Sequence, residues 1–142
     1  MTVIPSWAGE EETPFWEGVA RGELRIQSCA RCDRRRFPPR PFCPCCQSPD
    51  SVWQSMSGRG RLWSYVIAHP PLVPPFVELA PYNVIVVALE EDPLIRMVGN
   101  LVAEPQGPIN QMKPEQIRIG APVKAVFSEG PGGLRLPHWI YV

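Results

Sequence analysis

The sequence predicts a mainly β protein built from a short N-terminal helix, a metal-binding ribbon and a small five-stranded barrel. Two Cys-x-x-Cys pairs within residues 29–46 indicate the ribbon, because such pairs bend two thiolates toward one point. Five strand-like segments separated by turns rich in glycine and proline indicate the barrel. We therefore expect the arm and helix in residues 1–22, the ribbon in 23–57 and the barrel in 58–142.

The N-terminal helix is predicted from its capping residues. Thr13 suits the N-cap, Pro14 suits the first helical position, and Gly22 ends the helix. Phe15 and Trp16 fall on its apolar side together with smaller residues. Two large rings on so short a helix need a cover, which is either the chain's own core or another protein.

The ribbon carries the strongest chemical signal in the chain. Cys29, Cys32, Cys43 and Cys46 form two equal knuckles, and four thiolates in a tetrahedron suit Zn²⁺. Such a zinc ion has no open position, so a structural role is expected. Iron, a disulfide or free thiols remain alternative interpretations of the same cysteines. Cys43 and Cys46 keep the two-residue gap of a knuckle, whereas Cys43 and Cys45 are separated by one residue only. Cys45 is therefore interpreted as a spare thiol.

Strand signals lie on both sides of the knuckles and throughout the rest of the chain. They cover residues 23–27 and 50–57 in the ribbon, and 61–69, 82–90, 94–103, 121–128 and 134–142 beyond it. Residues 82–90 are apolar on both faces, so both faces should be covered. Gly99 predicts a bulge or bend, and residues 113–119 a helical turn. Five strands with a long connection after the third match an OB-fold.

Composition limits the cellular setting. No run of about 18 apolar residues exists, which excludes a membrane-spanning helix. The first residues lack the basic start and apolar core of a signal peptide. Together with reduced cysteine ligands, these features predict a cytoplasmic protein.

Charge is unevenly distributed along a chain of zero formal net charge. Residues 21–61 hold nine arginines against three acidic residues, 9 − 3 = +6. Arginine suits planar, bidentate contact with phosphate or carboxylate. The alternative is that these arginines are solvated and screen the thiolates of the metal site.

Nucleic-acid binding is the competing interpretation of an OB-fold with a zinc ribbon. Trp63 and Tyr65 share the spacing of one sheet face and could stack on bases. The same spacing describes a core face, and beyond residue 61 acidic side chains outnumber basic ones. Phosphate tracking requires a basic stripe, so this interpretation remains the alternative.

Several short motifs together resemble one known family. The motifs are Pro14-Phe-Trp-Glu-Gly18, Gly22-Glu-Leu, the two knuckles, Phe37-Pro-Pro-Arg40, Gly58-x-Gly60, Pro81-Tyr82 and Ile119-Gly-Ala-Pro-Val123. The family consists of small proteins with N-terminal helices, a rubredoxin-like zinc ribbon and a C-terminal OB-fold, which accompany thiolase-like acyl-CoA enzymes. Cys45 and Gln47 depart from its pattern, where a non-cysteine and often a glycine are found. Neither departure removes a ligand.

The resemblance implies an accessory role. Members bind thiolases, hydroxymethylglutaryl-CoA-type synthesis partners or lipid-transfer-protein-like retro-aldolases that shorten steroid side chains, and they help to form the CoA-ester channel and stabilise the partner. The residues agree, because His69 and His138 are the only histidines, and no nucleotide loop or nucleophile elbow is present. We expect a zinc-binding subunit that is not an enzyme on its own.

Two further surfaces follow as expectations. Arg34, Arg35 and Arg36 would lie near the phosphates of the acyl-CoA. A partner interface would use the rings of the N-terminal helix, the apolar face of strand 82–89 that a small barrel interior leaves uncovered, and the stiff loop after the first barrel strand. Its predicted residues are Phe15, Trp16, Pro71, Pro74 and Pro75. In the alternative arrangement the N-terminal helix folds back over the barrel and buries its own apolar side.

Overall fold

The structure, a computed structural model, describes residues 3–142 and is mostly β. One turn of 3-10 helix, Glu10–Glu12, leads into helix α1, Thr13–Ala20, with Pro14 in its first turn. The fold class predicted from the sequence is confirmed: a short N-terminal helix, a four-cysteine ribbon and a curled sheet of five strands. None of the helices within the described range is long and apolar enough to cross a bilayer.

The ribbon is a three-stranded antiparallel sheet of order β2-β1-β3. Its strands are β1 (Leu24–Cys29), β2 (Arg35–Arg36) and β3 (Ser51–Met56). Strands β1 and β3 agree with the predicted strands, whereas the two-residue β2 was missed because it is too short to show a period. Strand β1 is buried along nearly its whole length, because α1 packs against it.

The second sheet has the order β6-β5-β4-β7-β8 and curls into a half-barrel. Its strands are β4 (Arg59–Ala68), β5 (Tyr82–Leu89), β6 (Arg96–Gly99), β7 (Pro122–Glu129) and β8 (Arg135–Tyr141). Edge strands β6 and β8 approach each other at a parallel bridge between Leu101 and Trp139. The backbone N–H of Trp139 donates to the Asn100 carbonyl at 2.9 Å. The carbonyl of Trp139 accepts from the Val102 N–H at 2.8 Å.

Strand β6 is shorter than the predicted segment 94–103, and Gly99 ends it. A Cβ at Gly99 would lie 2.8 Å from Trp139 Nε1, so only glycine allows the chain to pass this buried ring. The predicted bend is therefore the point at which the chain ends its pairing with β5 and turns toward β8. The predicted helical turn in residues 113–119 is a 3-10 turn at Pro114–Gln116.

Strand β5 alternates strictly between buried and half-buried residues. Ile85 and Val87 point into the core, whereas Val84 and Val86 lie on the outer face. The interior of the half-barrel covers only one of the two faces, as expected for so small a barrel, and the residues of the other face stay half-buried. The outer face consequently remains apolar and accessible.

A β-bulge separates the two aromatic residues that were expected to share a face. The register of β4 against β5 shifts between Leu62 and Ser64, so Trp63 lies in the bulge and is exposed. Tyr65 pairs with Ile85 and packs against the core. The i, i+2 pairing predicted for Trp63 and Tyr65 is therefore wrong, because an extra residue inverts the alternation.

Helix α1 covers its own aromatic rings by folding back onto the chain. Phe15 is 5% exposed and Trp16 is 8% exposed. The Phe15 ring lies 5.6 Å from that of Phe37 in the ribbon, and the Trp16 ring lies 5.5 Å from that of Trp7. The alternative arrangement is thus the one observed, and the interface expected at Phe15 and Trp16 loses its physical reason.

Phe15→Ala is expected to lower the free energy of unfolding by about 3 kcal/mol, since it empties a buried aromatic site between helix, ribbon and barrel. Denaturant unfolding of the zinc-loaded chain measures this loss. Trp7→Ala is the control, because that ring is 70% exposed and should cost much less. Equal stability of wild type and Phe15→Ala would contradict the core assignment.

Candidate metal centre

The two knuckles are held by matching turns. Asp33 N–H donates to the Cys29 carbonyl at 3.0 Å, and Gln47 N–H donates to the Cys43 carbonyl at 2.9 Å. Asp33 and Gln47 each follow the second cysteine of a knuckle and have φ of 63° and 60°. This left-handed conformation favours glycine, which is the residue that the resemblance leads one to expect at the position of Gln47.

The four predicted ligands converge on one point. The Sγ atoms of Cys29 and Cys46 lie 3.6 Å apart, those of Cys32 and Cys43 lie 3.7 Å apart, and all four lie within 4.8 Å of one another. Four sulfurs bound to one tetrahedral zinc ion lie about 3.8 Å from one another. A disulfide would need about 2.05 Å. The residues therefore fit a tetrahedral metal ion and no disulfide.

Backbone N–H groups prepare part of this set for a cation. The N–H groups of Cys46 and then Cys45 lower the pKa of Cys43 to about 6, and that of Cys32 lowers the pKa of Cys29. The backbone N–H of Arg34 favours the Cys32 thiolate. Burial and the neighbouring sulfurs outweigh this effect and raise the pKa of Cys32 to about 12. Four adjacent thiolates are unstable without a cation, and a divalent metal supplies the missing charge.

Zinc binding at pH 7 is expected to release at least two protons per chain. Cys32 and Cys46 have raised pKa values and are thiols at this pH, and both must ionise to bind the metal. Affinity should therefore fall as the pH falls. Titration of the metal-free chain in weak buffer with a pH indicator measures the release, and uptake without proton release would contradict the four-thiolate assignment.

Cys45 stands apart from the metal set. Its side chain is exposed, whereas its backbone N–H donates to Cys43 Sγ at 3.4 Å. The main chain of this residue, and not its thiol, therefore contributes to the site. The interpretation of Cys45 as a spare thiol remains a prediction.

The three arginines predicted to contact CoA have different surroundings. Arg34 is exposed, whereas Arg35 Nε donates to Gln54 Oε1 at 3.2 Å and its Nη1 lies 3.8 Å from Asp92 Oδ2. Arg36 is buried and donates twice to the carbonyl of Arg40. All of them line one groove beside the metal site, together with Arg40. Sequence reasoning missed Arg40, although it ends the Phe-Pro-Pro-Arg motif.

The proline-rich loop is exposed as expected. Pro71, Pro74 and Pro75 lie on the surface, and a short helix α2, Phe76–Leu79, follows them. Val73 and Phe76 add exposed apolar side chains. The loop joins β4 to β5 at the end of their ladder, where Ala68 pairs with Tyr82.

The histidines do not form a recognisable catalytic arrangement. His69 is exposed at the start of the proline loop. His138 is half-buried, burial lowers its pKa, and its Nδ1 has no hydrogen-bond partner among the described residues. A catalytic triad needs a nucleophile and a carboxylate within hydrogen-bond reach of its histidine. The described part of the chain offers neither histidine such a neighbour.

Comparison with known proteins matches both halves of the chain to one family. Residues 16–52 match the rubredoxin-like zinc-ribbon domain of ChsH2, and residues 53–128 match its C-terminal OB-fold domain. A chain of the solved structure described as Ltp2-ChsH2(DUF35) aldolase superposes with a TM-score of 0.81 at 34% identity. That match covers 97% of this chain and 98% of the other.

Two curated relatives are larger proteins. One, from Thermomonospora curvata, is described as a probable enoyl-CoA hydratase alpha subunit and is 37% identical over 94% of this chain. Another, from Mycobacterium tuberculosis, is described as 3-oxo-4,17-pregnadiene-20-carboxyl-CoA hydratase alpha subunit and is 35% identical over 82% of this chain. The chain spans 38% and 33% of their lengths. With its four-cysteine zinc ribbon and half-barrel, this chain belongs to the ChsH2-type DUF35 family.

Proposed function

We propose that this chain is a zinc-binding, non-catalytic accessory subunit of a thiolase-like acyl-CoA enzyme. The observation that carries the proposal is the near-complete match to the DUF35 chain of an Ltp2-ChsH2 aldolase. The names of the two hydratase alpha subunits also support an acyl-CoA ester as the substrate of the complex. Partners of the retro-aldolase or thiolase type, including one acting on steroid side chains, fit this proposal, as does a cytoplasmic location for reduced thiolate ligands.

The outer face of the half-barrel supports a protein interface. We define it as Val66 on β4, Val84 and Val86 on β5, and Val98 on β6. Val66 pairs with Val84, and Val86 pairs with Val98, so the four side chains form one patch. Val66 and Val98 are 62% and 67% exposed. Contiguous exposed apolar surface marks a protein interaction site more often than a monomer surface.

The proline loop extends this patch. Pro71, Pro74 and Pro75 are exposed in the loop that follows the β4–β5 ladder, which ends two residue pairs beyond Val66 and Val84. They lose little conformational entropy on binding, because proline has a fixed φ. We propose that the loop and the outer face together contact the partner. Helix α1 then acts indirectly, by joining ribbon and barrel into one body that stabilises the partner and helps to form its CoA-ester channel.

The nucleic-acid alternative receives little support from the aromatic residues. Arg96 lies over the Trp63 ring at 3.8 Å and covers a face on which a base would stack. Tyr65 is half-buried and packs against the core. An OB-fold that binds single strands uses several exposed rings along one face.

Co-expression with the thiolase-like proteins of its own genome tests the proposal. We expect a stable complex in size-exclusion chromatography, acyl-CoA turnover by the complex, and no turnover by the zinc-loaded chain alone. Two results would overturn it: a monomer that ignores every thiolase-like protein of its own genome, or turnover of an acyl-CoA ester by the isolated chain.

A further inference from the structure

The groove beside the metal site contains a buried charge without a counter-charge. Arg36 is only 5% exposed, and its Nε and Nη2 donate to the Arg40 carbonyl at 3.3 and 3.0 Å. Its Nη1 has no hydrogen-bond partner, and no carboxylate of the described residues pairs with it. A buried guanidinium is costly unless an anion compensates it.

The groove has the size and lining of an anion site. Its volume is about 510 Å³, and four arginines line it: Arg34, Arg35, Arg36 and Arg40. The Arg35 guanidinium faces Asp92, so one of the two acidic side chains in the lining is already paired. Arg34 and Arg40 are exposed at the groove and free to orient toward a ligand. Leu94, 84% exposed, adds an apolar wall.

The metal site does not use these guanidinium groups. A zinc ion with four thiolates carries a formal charge of about −2, and one of these thiolates, Cys32, lines the groove. The negative charge of the zinc centre therefore partly balances the positive charge of the arginines. The N–H donors to sulfur are, however, backbone groups, among them those of Arg31, Cys32 and Cys45. The arginine forks therefore remain available to a ligand.

We propose that this groove binds a phosphate group carried by coenzyme A, with Arg34 and Arg40 as the contacting clamps and Arg36 as the charged floor. The inference rests on the proposed function, which supplies an acyl-CoA ester as the ligand. Arginine forks bind phosphate through paired, charge-assisted hydrogen bonds, which matches the two exposed guanidinium groups. The groove then holds the phosphate end of the ligand, while the acyl end reaches the partner.

Isothermal titration of the zinc-loaded chain with CoA and with inorganic phosphate tests the site. The diagnostic variant is Arg34→Ala/Arg40→Ala. It keeps the Arg40 carbonyl that holds Arg36 and the Arg34 carbonyl that accepts from Cys29 N–H, so the fold should persist. The matched control is Arg21→Ala/Arg59→Ala, which removes two exposed arginines elsewhere. Zinc content is measured for every protein.

Saturable CoA binding is expected for wild type and control, with affinity at least about tenfold lower in Arg34→Ala/Arg40→Ala at unchanged zinc content. Equal losses in both double variants, or no binding of CoA to the wild type, would overturn the site. Inorganic phosphate binding as tightly as CoA would overturn the assignment to CoA in favour of free phosphate. A partner complex that forms while CoA fails to bind the chain refutes this inference and leaves the proposed function standing.

Discussion

The Cys43→Ser variant is expected to bind essentially no zinc and to lose the structure of residues 29–50. Cys43 is 1% exposed, and its pKa is lowered to about 6, chiefly by the backbone N–H of Cys46. Structural zinc sites contribute about 10–16 kcal/mol at pH 7. Elemental analysis gives the metal content, and NMR spectra report which residues lose their dispersed signals.

The control for this prediction is Cys45→Ser. That thiol is exposed and lies outside the metal set, and the substitution keeps the backbone N–H that donates to Cys43. Its zinc content should equal that of the wild type. Iron in place of zinc, or full zinc retention in Cys46→Ser through recruitment of Cys45, would refute the assignment of ligands.

The half-barrel should keep its structure when the zinc is lost. Its core side chains, such as Leu62, Ile85 and Trp139, come from strands that pair without the knuckles. By contrast, few apolar side chains are buried between residues 29 and 50, so the loop has no core to replace the metal. Loss of dispersed signals from the barrel in Cys43→Ser would contradict this separation.

Local signals in the sequence predicted the metal site and most strands. The knuckles need only a fixed spacing, so Cys29, Cys32, Cys43 and Cys46 could be identified before any fold was known. Strands β4, β5, β7 and β8 have apolar periodicity and bordering turns that a sequence displays directly. The short strand β2 has neither, because its two residues are held by pairing with β1 alone.

Features that depend on tertiary packing were not predictable in the same way. The bulge after Leu62 leaves Trp63 exposed and Tyr65 packed against the core. No residue in this stretch of the sequence predicts the bulge. The cover of Phe15 comes partly from Phe37, which is 22 residues away in the sequence and reaches it only in the folded ribbon. Sequence patterns show which residues are apolar, whereas the fold decides which surface covers them.

Because Phe15 and Trp16 are buried, the predicted partner interface is best tested at the outer face of the half-barrel, which includes the predicted face of strand 82–89. Val66→Asp/Val98→Asp is expected to weaken the complex with the thiolase-like partner by roughly 10³-fold or more, since two unpaired carboxylates would be desolvated within the contact. Both valines are largely exposed in the chain alone, so the unfolding temperature should change little. Analytical size-exclusion and calorimetric titration against the partner measure the effect.

A matched control places the same charges on exposed apolar positions outside the outer face. Val52 on β3 is 48% exposed and Ile119, in the connection before β7, is 65% exposed. Val52→Asp/Ile119→Asp adds the same net charge and should leave the complex intact if the outer face is the contact. Equal weakening by both double variants would assign the effect to charge alone and end the outer-face hypothesis. An intact complex with Val66→Asp/Val98→Asp would end it as well, because no apolar contact tolerates two buried carboxylates at its centre.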